Sequence, residues 1–449
     1  MYVVCGLFLL ATVFPYTQIV PSSGYTQPYA MLLGGMIFLM RFTPICAALS
    51  RHDRWALFGL ALLGVSVFFL SAFPYDNVQE IKYLLNYLSP LVVGGAALFC
   101  ATRYPELTRR VVLFALFAWL FTAIVQWRIK PDFLAFLVGP WAGVALDMAA
   151  SGRGVLSLAP EPTHHAFHMM LLAAAASLLG LGRWVVLLCL VSVLILAKSS
   201  NALLVLALGF AWFACLRPTR FVVVAAAGLL GLSLLLSLHD SVLPSGSRMA
   251  VLLGEMLQDP SQLLRDRSTN ARLGGLAAST MYLFQDWLMP HGMGFDTWQQ
   301  AAASILKQFD WLFFISDSGP PSGYGILVFQ CGLLAVPPLA IIISRIASVP
   351  VPRPQRFIVL SAIVVFLFQF YVSSPMFGFI YAMAIYAHRR VLAPEVGGYA
   401  SGCRPPPRVP GAGGRVATIG KIPRLNADRR WQPRRPGTRA VGRGLVINL

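Results

Sequence analysis

The sequence predicts an all-α polytopic membrane protein of about twelve transmembrane helices. Three observations predict it: the composition, a series of apolar runs of spanning length, and basic residues that fall on alternate connections between those runs. Of 449 residues, 57% are hydrophobic and only 12% are charged, a balance that excludes an ordinary soluble fold. The formal charge of +18 does not point to nucleic acid. From Arg389 onward thirteen lysines and arginines face only Glu395 and Asp428, so the body ahead of that tail is mildly basic.

A hydrocarbon core about 30 Å thick takes about 20 apolar residues to cross as a helix. Runs of that kind read at 2–20, 29–49, 55–73, 80–101 and 109–128, then at 165–181, 183–197, 200–216 and 219–238, and finally at 323–345, 356–373 and 375–390. The runs at 183–197 and 375–390 are short for the purpose. The start, Met1-Tyr-Val-Val-Cys-Gly-Leu-Phe-Leu-Leu10, lacks the basic region and cleavage site of a signal peptide and reads as a first span. No internal repeat emerges.

Short cytoplasmic connections retain Lys and Arg. With the N-terminus inside, the inner connections carry Arg41, Arg51 and Arg54; Arg103, Arg109 and Arg110; Arg183; Arg217 and Arg220; and Arg345, Arg353 and Arg356. The short outer ones hold only Lys82 and Lys198 as bases. The expected organisation is then nine helices within 1–238 with an outer loop at 129–164. A large extracytoplasmic loop at 239–322 follows between helices 9 and 10, then three helices within 323–390. Residues 391–449, rich in Pro, Gly and Arg without periodicity, read as a disordered basic cytoplasmic tail.

The cysteines fall in apolar stretches or the tail, so no structural disulfide is expected, and no CxxC-type zinc spacing exists. The spans are nearly free of Asp, Glu, Lys and Arg away from their ends. A charge at mid-bilayer costs several kcal/mol and usually marks an ion path or relay, so chemistry is expected on the outer side. There Arg265, Arg267 and Arg272 suit bidentate binding of phosphate or diphosphate, or equally face lipid phosphates as an interfacial helix. Arg272 sits among apolar residues that would hold it still. His291 lies in Pro290-His-Gly-Met-Gly-Phe295, where glycines allow close approach and an imidazole can take a proton from a hydroxyl; a lone turn histidine is more often just polar. The third cluster is Glu161-Pro-Thr-His164-His165-Ala-Phe-His168. Pro162 suits a first helical position, which makes Glu161 the cap, and Glu161 with His165 and His164 with His168 are four apart. A structural cap and a substrate-facing role both fit; a metal would need more ligands than are visible.

Together these segments resemble a known family. Glu161-Pro-Thr-His-His-Ala-Phe167, Lys198-Ser-Ser-Asn-Ala-Leu-Leu204, Arg272 followed by Pro290-His-Gly-Met-Gly-Phe295, and Ser322-Gly-Tyr-Gly-Ile-Leu-Val-Phe-Gln-Cys-Gly-Leu-Leu334 resemble, in order over residues 30–390, the motifs of the O-antigen polymerase and ligase superfamily. The resemblance implies a GT-C-like, metal-independent membrane glycosyltransferase without cofactor. It would polymerise undecaprenyl-diphosphate-linked repeat units at the outer face of the bacterial cytoplasmic membrane, beside a flippase and a chain-length regulator. Arg265, Arg267 and Arg272, with His164, would hold the diphosphate. His291, or Glu161 and His165, would act on the acceptor hydroxyl. The alternatives are a ligase and, from another class, a polysaccharide export channel. Ligases of the superfamily carry a His-Asn pair where this chain has Ser322 and Gly323.

Overall fold

The computed structural model describes residues 1–19, 26–71, 78–138, 154–215, 267–315, 319–320, 322–368 and 374–392, with single residues at 147 and 259. Among them the protein is all helical. The helices are α1 (Tyr2–Val13), α2 (Tyr29–Met40), α3 (Phe42–Ala48), α4 (Arg51–Leu70), α5 (Val78–Arg103), α6 (Pro105–Arg128) and α7 (Pro162–Leu178). Next come α8 (Trp184–Val191), which continues as a π-helical turn over Ser192–Ala197, and α9 (Ser200–Cys215). They are followed by α10 (Arg267–Gln285), α11 (Phe295–Gln308) and α12 (Gly323–Cys331). A 3-10 turn over Gly332–Ala335 leads into α13 (Val336–Ala347), and α14 (Arg353–Phe368) and α15 (Pro375–Leu392) complete the set. The basic segment Glu395–Leu449 separates from the unit Met1–Pro394 and lies outside the described residues.

Local sequence sets several helix starts. Ser50 and Asp53 form a reciprocal capping box at α4, satisfying two donors that the first turn leaves without partners. Pro105 and Pro162 open α6 and α7, where a missing N–H costs nothing.

The protein is a multi-pass membrane protein, but its described residues hold fewer spans than the sequence predicts. Among the described residues four stretches are long and apolar enough to cross: Arg51–Leu70, Tyr83–Arg103, Pro105–Arg128 and Gly323–Ala347, the last formed by α12 and α13 together. The pair α2 and α3, bent by 92°, makes a fifth if it counts as one span. The expected twelve helices are therefore corrected to four or five. The run at 2–20 yields a helix of only 12 residues and that at 356–373 one of 16. Residues His165 to Leu178 of α7 are all buried inside the bundle, and apolar sequence reads alike whether protein or lipid covers it. The run at 183–197 leaves α geometry at Ser192, α15 carries Arg389 and Arg390 in its last turn, and 219–238 lies outside the described residues. With the twelve-helix frame go the GT-C-like architecture and the assignment to the O-antigen polymerase and ligase superfamily. The glycan-polymerising function goes with it, together with its ligase and export-channel alternatives.

Helix α5 is the centre of the bundle, packed against α2, α4 and α15. Its crossing with α15 is set by glycines: a Cβ on Gly378 would lie 2.9 Å from the Gly94 amide nitrogen and 3.2 Å from the Pro90 carbonyl oxygen. Small residues let helix backbones approach in this way where hydrophobic burial offers little drive between helices.

At the basic end of the bundle Asp53, 1% exposed, ties three helices together. Its carboxylate accepts from Tyr381 Oη at 2.9 Å and pairs with Arg345 Nε at 3.4 Å. Gln355 donates to the Gly182 carbonyl at 2.7 Å on the same side. The opposite end gathers Ser71, Tyr16, Glu161, Ser199 and His291. Gly378→Leu is expected to split the α5–α15 crossing; overpacking costs about 1–3 kcal/mol, and the loss should appear as a lowered midpoint of thermal unfolding in detergent, with Gly378→Ala falling between it and the unaltered protein.

Candidate functional site

Within the expected loop 239–322, the stretch from Arg267 to Trp298 is carried by α10, a turn and the start of α11. Arg265 lies outside the described residues; Arg267 opens α10 and Arg272 follows in its second turn, with no described side chain for either. Helix α10 runs beside α12 in the same direction. Thr280 Oγ1 lies 3.4 Å from Tyr324 Oη, the rings of Tyr282 and Phe329 are 6.1 Å apart, and further along Leu333 N donates to the Leu288 carbonyl at 3.1 Å. At 1.5 Å per residue, Arg272 is about 20 Å along α10 from its last residue. The arginines and His291 thus stand at opposite ends of the helix.

His291 is held by a break in the α12–α13 span. Gly332 has φ +58 and ψ −145, a region essentially closed to side chains, and the helical ladder stops there. In an unbroken helix Leu333 N would donate to the Phe329 carbonyl; instead that carbonyl accepts from His291 N at 3.2 Å, and Gln330 O accepts from Gly292 N at 3.2 Å. The imidazole lies stacked on Phe329, centroids 4.9 Å apart. Its Nδ1 is 3.1 Å from the Phe329 carbonyl and its Nε2 is 2.7 Å from Asp286 Oδ2. Both ring nitrogens therefore face oxygen acceptors. A neutral ring donates from one nitrogen only, so the doubly protonated form satisfies both bonds.

This arrangement leaves His291 no nitrogen with which to approach a substrate. The reachable group is the Asp286 carboxylate, 56% exposed against 7% for the histidine side chain. Next to it Trp287 and Leu288 adopt φ of +53 and +66, unusual for residues with large side chains. The Met293 amide donates to Ser71 Oγ at 2.8 Å, fixing the far side of the turn to the end of α4.

The second cluster forms around α7. Glu161 is its cap residue, without a capping bond from its side chain, and Glu161 Oε2 lies 3.6 Å from His164 Nδ1. The carboxylate therefore meets His164 rather than His165. His165 turns inward, with Nε2 2.8 Å from Ser192 Oγ on the π turn and its ring stacked on Trp119 at 5.8 Å. His168 stacks on the same indole at 4.2 Å, and its Nε2 donates at 2.8 Å to the Val13 carbonyl, which also accepts from Trp119 Nε1. Thr163 and Ser199 hydroxyls bond at 2.9 Å. Burial, with the charge of Glu161 second, pushes the neighbouring Tyr16 phenol up, so it stays neutral. His165 and His168 are fully enclosed; Glu161 and His164 form the rim.

No known family model, characterised protein or solved structure matches the chain. Function must be read from the geometry. Among the described residues no group of three or more His, Cys, Asp or Glu side chains could hold a metal ion.

Sequence reasoning missed Asp286. The signal was one acid between Gln285 and Trp287, five residues before a histidine with Pro290 between them; no helical spacing joins the two because a left-handed turn does. Gly332→Ala is expected to eject that turn. The new methyl group would run into the Leu288 carbonyl oxygen and the Met289 backbone, with a backbone cost of about 1–3 kcal/mol. Hydrogen exchange should show lost protection at the His291 and Gly292 amides.

Proposed function

We propose that the protein is a membrane enzyme that performs acid–base chemistry on an amphipathic, lipid-borne substrate, with Asp286 as the working carboxylate and His291 as the residue that positions it. The observation that carries this reading is the 2.7 Å contact between His291 Nε2 and Asp286 Oδ2 on a turn bonded into a broken membrane span. An ionisable pair beside a span is expensive and is kept where it acts. One carboxylate oxygen is held, and no described residue bonds the other, which leaves it to accept a hydroxyl proton from the substrate head.

The histidine supplies orientation and compensating charge as the carboxylate changes state. Orientation in the cell follows from the basic residues at the Asp53 end, which by the positive-inside pattern face the cytoplasm of a bacterial cell. Asp286 and the Glu161 rim then face outward. The arginines at the start of α10 lie on that outer side, where a lipid phosphate would pass.

The test is chemical complementation. Lipid extracts from cells lacking the gene should accumulate an amphipathic species that the intact protein consumes, as read by mass spectrometry. Asp286→Asn, expressed in the membrane at the normal level, is expected to leave that species in place, since loss of an acid–base group costs about 10²–10⁴ in rate. His291→Gln should retain partial turnover with an altered pH profile. Full consumption by the Asp286→Asn protein would sink the reading.

A further inference from the structure

The end of α10 and the residues after it present large apolar side chains outward, exposed among the described residues. Trp287 is 89% exposed, Phe284 70% and Met289 62%, and beside them Leu333 and Leu334 are 50% and 59% exposed. Such a patch on a water-facing loop would be costly and prone to association. Its location is not a loop. The Leu333 N bond to Leu288 O and the two His291 and Gly292 amide bonds fasten residues 288–292 to residues 329–333, inside the 25-residue span Gly323–Ala347. Met293 N bonds Ser71 just past the outer end of α4, a span of 20 residues, so the corner sits at the outer boundary of a hydrocarbon core about 30 Å thick.

We infer that the corner from the end of α10 to Met293 is seated at the outer boundary of the bilayer, and that Phe284, Trp287 and Met289 reach in among lipid acyl chains. Four features of the segment meet the demands of that solvent. Irregular backbone at membrane depth needs its polar groups bonded to protein, and the amides of His291, Gly292 and Met293 are bonded to Phe329, Gln330 and Ser71. Charges there need partners, and Asp286 and His291 have each other. Phe284, Trp287 and Met289 continue the exposed face of Leu333 and Leu334 on a span already apolar enough to cross, and the exposed Gln285 beside them bonds Gln308 of α11 at 3.2 Å. The left-handed conformations of Trp287 and Leu288 are retained at a backbone cost because they reverse the chain where its apolar side chains face outward. The inference stands apart from the acid–base reading, since its test measures immersion and not turnover.

The experiment places a nitroxide on the full chain in phosphatidylcholine nanodiscs. Trp287→Cys and, separately, Phe284→Cys are labelled with Cys46, Cys215 and Cys403 changed to Ser; Lys130→Cys, exposed just past the outer end of α6, is the water-side control. Labels at 287 and 284 should collide with oxygen several-fold more, relative to a water-soluble nickel chelate, than the label at 130. Nickel accessibility equal to that at 130 at both positions would overturn the inference and make the corner a surface loop. Shielding from both reagents would also overturn it, because a second copy or another protein, not lipid, would then cover the patch. Two positions keep the result decisive if one variant fails to fold.

Discussion

A membrane span that breaks must find new hydrogen-bond partners for the peptide groups it releases, and in this protein that constraint organises the site. Gly332 stops the α12 ladder with Phe329 and Gln330 unable to bond onward along the helix. An unsatisfied peptide group in a water-poor interior costs several kcal/mol. The chain that answers is the segment 288–293, far away in sequence from α4 but bonded to its end, where Ser71 accepts from Met293 N at 2.8 Å; α12 itself is tied to α5, Tyr87 donating to Gln330 Oε1 at 2.9 Å. Once the backbone is paired, the side chain of His291 has no choice of place. It lies flat on Phe329 with Asp286 at its outer nitrogen.

The same economy governs the α7 cluster with a different outcome. There the released group is the Val13 carbonyl at the end of a 12-residue helix, and it is met by two side-chain donors, Trp119 and His168. Gln126 repeats the device, its amide donating to the Phe133 and Ser157 carbonyls at 2.8 and 2.9 Å while its oxygen accepts from Ser157 N at 2.6 Å. These groups close the end of the bundle. Because His165 and His168 are enclosed, the imidazoles that looked most numerous in the sequence are mainly a polar core, leaving Glu161 and His164 at its edge.

Much of the fold's character was legible in the sequence: its membrane class from composition, the Glu161 cap from Pro162, and long spans where the runs at 55–73, 80–101, 109–128 and 323–345 gave them. The count was not legible, because α7 is apolar for burial in protein and α1 and α14 are apolar but short. Pairings were hidden for a related reason. Four-residue spacing puts Glu161 above His165, yet the rotation of α7 that buries His165 against Trp119 leaves His164 for the carboxylate. Asp286 and His291 are brought together by a left-handed turn at Trp287 and Leu288, which bulky residues rarely adopt and which no residue pattern announces.

The two carboxylates closest to the bundle's hydrogen-bond accounts make the functional distinction. Asp53 is buried, with Ser50, Tyr381 and Arg345 on its oxygens and its own helix capped by it; every acceptor site is spent on packing α4, α13 and α15, so it can be removed only by loosening the fold. Asp286 has one partner, half its surface open, and a neighbour whose backbone is strained. A structure that tolerates such an acid beside a membrane span gains no stability from its exposed oxygen. Of the two carboxylates it is Asp286 that keeps an acceptor open, and the proposed acid–base role rests on that difference.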